Sequence, residues 1–434
     1  MKTLLGILIK FCLGASILVV YGNCSNSPLY GAKILMVYCR SDSGMRLKKS
    51  QMDFEESCRL RGSAVYKINL YKHLVQYGFN VVLLTIDDDE LCKEFSAAGL
   101  PCYAVTMCGM GKTLNQDNIL FNNMYAICKQ EDIKIIHCHT AREARVAQRI
   151  AREISVNVVL TLHLDRLPDV DLLKGLDGII CVSPSAEDKV KRANDAHNLG
   201  IKGIIWLPPF FDEDKFLKFK PTVSKADFFK KNFNISVSDA PIVCSVANFY
   251  REFKNHTVLL HAIKKLIDDY KQPVQLLLAG TGERLEEIKR LAERLQIAEN
   301  VHFLGLTTKT PELYYYADIN ALTSDSEALG IVLLEGALLK KPMIGTKGTG
   351  MEAVIKHGEN GLLFERDNAD DLAACLYKLL NDLALSRRLG KQAYQFVEEN
   401  FLSGVTVNKL RNFYEKTVLA SSLHADNVCC SSMV

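Results

Sequence analysis

The feature that most constrains this chain is an alternation of short apolar runs with amphipathic stretches, which starts, stops and starts again. Runs at 33–38, 80–85, 103–106, 133–139, 157–163, 177–183 and 201–207 are rich in Ile, Val and Leu, as strands buried on both faces are. Stretches at 62–77, 91–98, 118–130, 143–154 and 185–193 read as helices; in the first, Val65, Ile68, Leu70 and Leu74 are the apolar positions. Gly78 ends that helix where a left-handed residue is favoured. Strand, helix, strand, repeated, is the βαβ unit and implies a parallel sheet. The period is lost over 208–224, which holds Pro208, Pro209, Pro221 and several phenylalanines. It resumes with strands at 241–247, 274–279, 301–305, 318–322 and 343–346 and helices at 225–232, 256–270, 311–316, 331–339, 368–381, 386–397 and 405–418. A chain of 434 residues is expected to form two domains rather than one. The expected plan is α/β: an N-terminal domain over 31–207, a linker over 208–224 and a second domain over 225–400. A C-terminal helix over 401–418 packs back on the first domain, and 419–434 form a flexible tail.

Residues 1–23 stand outside this pattern. Lys2 precedes an apolar stretch, Lys10 interrupts it, and 11–22 are mostly apolar. That length suits a signal peptide or a short membrane anchor. A cleaved signal implies a secreted or periplasmic protein, and an anchor implies membrane association. The cytoplasm or the cytoplasmic face of the membrane is the other expected location. A net charge of +3 is too small to point to nucleic acid. The 14 cysteines show no metal-like clustering, and Cys39, Cys138, Cys181 and Cys244 lie in or beside strand-like runs. They read as buried thiols of a reducing compartment.

The densest chemistry lies in 318–364. An apolar strand is followed by the polar Ser324, Asp325, Ser326 and Glu327, then by Gly330 and an apolar helix whose one acid is Glu335. A helix that starts at a glycine offers backbone N–H groups and the positive end of its dipole to an anion. Glu335 lies roughly 7–8 Å along the helix from that start. That is about the span from a diphosphate to the ribose of the same nucleotide, and a carboxylate accepts hydrogen bonds from two vicinal hydroxyls. Glu327, before the helix, falls where a sugar beyond the phosphates would sit. A buried helix with a surface acid at either end is the alternative. In the first half, strands end at His139 and His163, and parallel strands place their C-terminal ends on one side of a sheet. These histidines converge on a ligand or hydrogen-bond locally. Gly280-Thr281-Gly282 is half of a dinucleotide fingerprint and is read as a tight turn near the cleft.

The ordered set Gly280-Thr-Gly-Glu283, Phe303-Leu-Gly305, Glu327 and Glu335 with seven residues between them, Gly348-Thr-Gly-Met-Glu352 and Asn360-Gly-Leu-Leu-Phe364 resembles the retaining glycosyltransferases of the GT-B fold, relatives of the glycogen synthases. The resemblance covers about residues 33–415. It implies two Rossmann-like parallel-sheet domains facing a central cleft, preceded here by the N-terminal hydrophobic segment. It implies that Glu335 binds the donor ribose and that Glu327 sits at the donor sugar. The amides of Leu329, Gly330 and Ile331 would hold the diphosphate and Lys254 would neutralise it. Gly62 falls in the first-strand loop near phosphate and acceptor, and His163 beside sugar and acceptor, with His139 on the acceptor side. Asn248 stands where the family has a basic residue, and Arg251 is the candidate to compensate. The hinge reads Pro208-Pro209-Phe210 instead of the family's Pro-Asn-Gly.

The implied reaction moves a sugar from a nucleotide-diphosphate sugar to a hydroxyl of a glycan or lipid-linked acceptor, as in cell-envelope synthesis. Its transition state carries oxocarbenium character and growing charge on the diphosphate. Glu327, His163 and Lys254 are the catalytic candidates. No cofactor is implied beyond the nucleotide-sugar co-substrate, and no metal, since Asp87-Asp88-Asp89 reads as a solvated turn. A nucleotide-sugar epimerase, a phosphorylase and a non-catalytic nucleotide-sugar-binding protein are the alternatives.

Overall fold

Thirteen strands and fifteen α-helices are found among the residues that the computed structural model describes, 32–39, 62–86, 89–97, 99–105, 115–163, 167–250 and 252–415. The segment 1–23, the loop 40–61, Arg251 and the tail 419–434 lie outside the described residues, as do Asp87 and Asp88. The chain divides into two units, one running to Phe210 and resuming at Val407, the other spanning Phe211–Thr406.

The first unit is built on β1 (Lys33–Cys39), β2 (Asn80–Ile86), β3 (Cys102–Val105), β4 (Ile133–Cys138), β5 (Asn157–Leu162), β6 (Gly178–Cys181) and β7 (Gly203–Trp206). They form one parallel sheet in the order β3-β2-β1-β4-β5-β6-β7. The connecting helices are α1 (Gly62–Gln76), α2 (Asp89–Ala97), α3 (Asn115–Gln130), α4 (Ala141–Ala151), α5 (Val170–Leu173) and α6 (Pro184–His197). Leu35, Val82, Leu84, Ile136, Val158 and Ile179 are buried in the core between sheet and helices. Strands covered on both faces need no polar side, which is why their sequences are continuous apolar runs.

The second unit repeats the plan with α7 (Asp214–Leu217), α8 (Lys225–Phe233), β8 (Ile242–Val246), α9 (His256–Asp268), β9 (Gln275–Ala279), α10 (Leu285–Arg294), β10 (Val301–Gly305), α11 (Thr310–Tyr316), β11 (Ile319–Leu322), α12 (Ile331–Leu338), β12 (Met343–Thr346), β13 (Gly361–Phe364), α13 (Ala369–Asn381) and α14 (Leu383–Asn400). Its parallel sheet has the order β10-β9-β8-β11-β12-β13. The last helix, α15 (Ser403–Phe413), carries the chain back to the first unit from Val407 onwards. There Arg411 donates to the Tyr77 carbonyl at 2.9 Å and lies over the Phe79 ring at 4.8 Å.

Three local expectations change. The stretch 208–224 contains α7, and Phe210, Phe211 and Phe216 are buried. Glu213 accepts hydrogen bonds from the Ser403 N–H and hydroxyl at 2.7 and 2.6 Å. Its lack of period reflects one short helical turn that anchors aromatics, rather than a slack connection. The helix expected over 386–397 runs from Leu383 to Asn400, because Asp382 caps its start and Glu398-Glu399-Asn400 contains no backbone breaker. The glycine-rich 347–352 loop ends in a short 3-10 turn at Gly350–Ala353. Among the described residues no helix is long and apolar enough to cross a membrane.

Candidate active site

The order of the second sheet reverses between β8 and β11, which are neighbours in space but far apart in the chain. Connections leaving two such strands depart to opposite faces and open a crevice at the carboxyl ends. Lys254 follows β8 and Glu327 follows β11, and the two meet there, Nζ to Oε2, at 2.6 Å. Both side chains are largely withdrawn from solvent, at 14% and 20% exposure. Burial of this kind strengthens the attraction between them, although much of that gain offsets lost hydration.

The backbone around Glu327 is held from the next strand over. The Gly350 N–H donates to the Glu327 carbonyl at 2.9 Å. A Cβ on Gly350 would lie 1.9 Å from the Ala328 carbonyl oxygen, so the approach of these two loops admits only glycine. Gly330, at φ 87°, turns the chain into α12, and no side chain caps that helix. The amides of Leu329 and Gly330, just ahead of the helix, and of Ile331, its first residue, lie at the end of α12 that suits an anion.

Glu335 lies further along α12, half-buried. Burial lifts its carboxyl to about 7; the Lys215 ammonium and the Tyr314 hydroxyl pull against that rise, and Asp212 adds to it. Tyr314, fully buried on α11, stands beside Glu335, and burial, with that carboxylate adding to it, pushes its phenol well above the ordinary value. Asn248 is exposed and accepts from the Tyr250 N–H at 3.4 Å, so it closes its own turn. Gly280, after β9, donates its N–H to the Gly305 carbonyl at 2.8 Å.

In the first unit the strand-end histidines do come together. His139 Nδ1 and His163 Nε2 are 3.0 Å apart, and the rings stack at 5.2 Å between centroids. His137 stacks on His139 at 4.7 Å, with the Thr161 hydroxyl 2.6 Å from its Nε2 and the Tyr414 hydroxyl 2.7 Å from its Nδ1. Burial drives His137 and His163 down to about 3, and His139 well below its ordinary value. The nearby Lys67 charge adds to this for His139 and His163. All three rings are neutral at physiological pH, able to accept or donate one hydrogen bond but not to supply a cation. The backbone at His139 is fixed by Glu143, whose carboxylate accepts from the N–H groups of His139 and Thr140 at 2.8 and 3.0 Å. That is half of a capping box opening α4. Gly62 starts α1.

The sequence expectations did not include Asn255, Tyr314, Lys215 or Lys67. The Thr140-x-x-Glu143 spacing was a readable signal for the cap that orients His139, whereas the other four depend on contacts between distant segments. Among the described residues no group of three or more His, Cys, Asp or Glu could hold a metal ion.

Comparison with known proteins is consistent with this geometry. The family described as "Glycosyl transferases group 1" matches residues 227–396, and "Glycosyltransferase Family 4" matches residues 60–199. The chain is similar to the N-acetyl-alpha-D-glucosaminyl L-malate synthase of Bacillus anthracis, with 29% identity over 81% of this chain and 93% of that one. It is also similar to the D-inositol 3-phosphate glycosyltransferase of Corynebacterium jeikeium, with 24% identity over 62% and 70%. Among solved structures, a glycosyltransferase from Rickettsia africae superimposes with a TM-score of 0.70 at 20% identity, over 88% of this chain and 98% of that one. Anabaena HepE in complex with UDP and glucose follows at 0.67 and 18%, over 89% and 100%. Two glycosyltransferase domain families, matched in order along the chain, and two parallel-sheet α/β units of the matching fold support a GT-B glycosyltransferase.

Proposed function

We propose that the protein transfers a sugar, with retention of configuration, from a nucleoside-diphosphate sugar to an acceptor hydroxyl. The observation that carries this is the Lys254–Glu327 pair at the β8/β11 reversal, beside the uncapped start of α12. A cation and an open helix start follow neighbouring strands, β8 and β11, and both suit a diphosphate. Similarity to a HepE structure holding UDP and glucose supports the same choice of donor.

In this scheme the diphosphate takes Lys254 from Glu327 and rests on the amides of Leu329, Gly330 and Ile331. Glu327 is released toward hydroxyls of the donor sugar. Glu335 receives the ribose. As the bond from the sugar to the diphosphate oxygen breaks, negative charge grows on the diphosphate, and Lys254 and the α12 start stabilise it where it forms. The acceptor oxygen bonds to the sugar as that bond breaks and passes its proton to the departing diphosphate oxygen. His163, held neutral and oriented by His139, is suited to contact the acceptor or the donor sugar. The acceptor is a hydroxyl compound: relatives are named for lipopolysaccharide core biosynthesis, which favours a cell-envelope acceptor, and others for L-malate and inositol 3-phosphate. The protein works on the side of the membrane where nucleotide sugars are made.

Calorimetric titration with UDP and with GDP tests the donor site. Glu335→Ala is expected to weaken whichever nucleotide binds by about tenfold or more, the loss of hydrogen bonds to a charged acceptor. Unchanged affinity would remove Glu335 from the site. Nucleotide binding with no turnover of any UDP-, GDP- or ADP-sugar would instead favour a non-catalytic binding protein.

A further inference from the structure

We propose that Asn255 is a positioning residue for Lys254: its side-chain amide ties the loop after β8 to the loops after β11 and β13, and so sets where the lysine meets the donor diphosphate. This rests on the donor-site assignment above. The geometry is specific. Asn255 is left-handed, at φ 47° and ψ 46°, and its Oδ1 accepts from the Val258 N–H at 3.3 Å to cap α9. Its Nδ2 donates to Asp325 at 3.0 and 3.1 Å and to Asp367 at 2.6 Å. Two donors and one acceptor are thus spent on three separate segments, which is what a primary amide can offer and no smaller polar group can. Asparagine is also the side-chain-bearing residue that best tolerates a left-handed backbone.

The same seam is sewn twice more. The Asp325 N–H donates to the Phe253 carbonyl at 2.7 Å. The Thr323 hydroxyl lies 3.2 Å from the Lys254 carbonyl and 3.1 Å from that of Asn255. The backbone of Lys254 is therefore gripped on the side facing Glu327, two residues beyond Asp325. The charges agree with a clamp under load. Burial pushes the Asp325 carboxyl up and the Asp367 charge adds to it, while the Asn255 amide and Arg366 act the other way. Without the amide, two carboxylates face each other at the edge of the site. A lysine stem is flexible, so a fixed backbone anchor narrows the positions its ammonium samples, and a displacement of about 1 Å in a positioned group can cost about a hundredfold in rate.

Asn255→Gly keeps the left-handed backbone at low strain and deletes the amide. With the nucleotide sugar that the wild type turns over, it is expected to lower kcat about tenfold with little change in donor KM. On a Lys254→Ala background the same substitution should cost nothing more. Asn255→Asp should be worse than Asn255→Gly, because it sets a third carboxylate against the first two. Adding Asp367→Asn should recover only part of that loss, since the new amide answers one carboxylate while Asp325 still faces another. Equal losses on the wild-type and Lys254→Ala backgrounds would overturn the proposal. A crystal structure of Asn255→Gly gives a readout independent of turnover. Lys254 Nζ is expected to withdraw from Glu327, and a pair retained at 2.6 Å would overturn the clamp. If no donor is turned over, glycosyl transfer fails while this structure still decides the role of Asn255.

Discussion

Glu335 combines two demands that pull in opposite directions. It is buried enough for its carboxyl to rise from 4.5 to about 7, yet it must present oxygens to a ribose. A raised carboxyl is a stability cost once ionised. Below the unfolded value both states hold the proton and the cost is absent. As pH rises from about 4.5 to about 7 the unfolded chain loses its proton first, stability falls, and above about 7 the cost is complete. Glu335→Gln is therefore expected to raise the melting temperature at pH 8, by at most about 3 kcal/mol of stability, with the gain vanishing near pH 4. Thermal unfolding across that range checks it; a gain largest at low pH would show that the burial argument has the wrong sign. Glu335 was legible in the sequence because it is one acid in an apolar helix behind a glycine. Tyr314 and Lys215 were not, because they reach Glu335 from α11 and α7, and no local pattern encodes a meeting of separate helices. Asn255 escaped for the same reason: next to Lys254 in sequence it reads as an ordinary helix cap, and its partners lie 70 and 112 residues away.

Among the elements, the loops at the carboxyl ends of the second sheet carry the specificity of the fold. Gly348 and Gly350 look alike in sequence, but the structure separates them. Gly348 is left-handed at φ 71° with only the tip of Arg366 near, at 3.9 Å, whereas a Cβ on Gly350 would strike the Ala328 carbonyl at 1.9 Å. Gly348→Ala should thus cost only the left-handed strain, about 1–2 kcal/mol, and leave nucleotide binding largely intact. Gly350→Ala should cost about 2–4 kcal/mol and, by moving Glu327, abolish most activity. Denaturant unfolding and turnover of the two variants check this, and the reverse order would contradict it. Most strands were legible from their apolar runs to within one or two residues. The helix ends were less so: α4 begins at a threonine cap, α14 at an aspartate cap, and neither lies where hydrophobic period alone starts. The stretch 208–224 misled because a four-residue helix is too short to show a period, although its phenylalanines are buried.

For the molecule as a whole, the duplicated parallel sheet is the decisive feature. Each sheet places a reversal of strand order in its middle, β1/β4 in the first and β8/β11 in the second, and in each the residues with unusual chemistry gather at the carboxyl ends. The second gathers a cation, an acid and an open helix start, the first a stack of neutral imidazoles. That division, one half suited to an anionic donor and the other to uncharged hydroxyl contacts, is the physical content of the proposed transfer. The alternation of runs and helices made the duplication readable from the sequence. Which strands lie side by side was not readable, since sheet order is set by crossovers that no single stretch specifies. The most direct test is the release of nucleoside diphosphate from a panel of UDP-, GDP- and ADP-sugars by the wild type and by Lys254→Ala. Release from at least one donor, reduced about a hundredfold or more in the variant, is the expected result. No release from any donor, or release undiminished without Lys254, would contradict the assignment of this site.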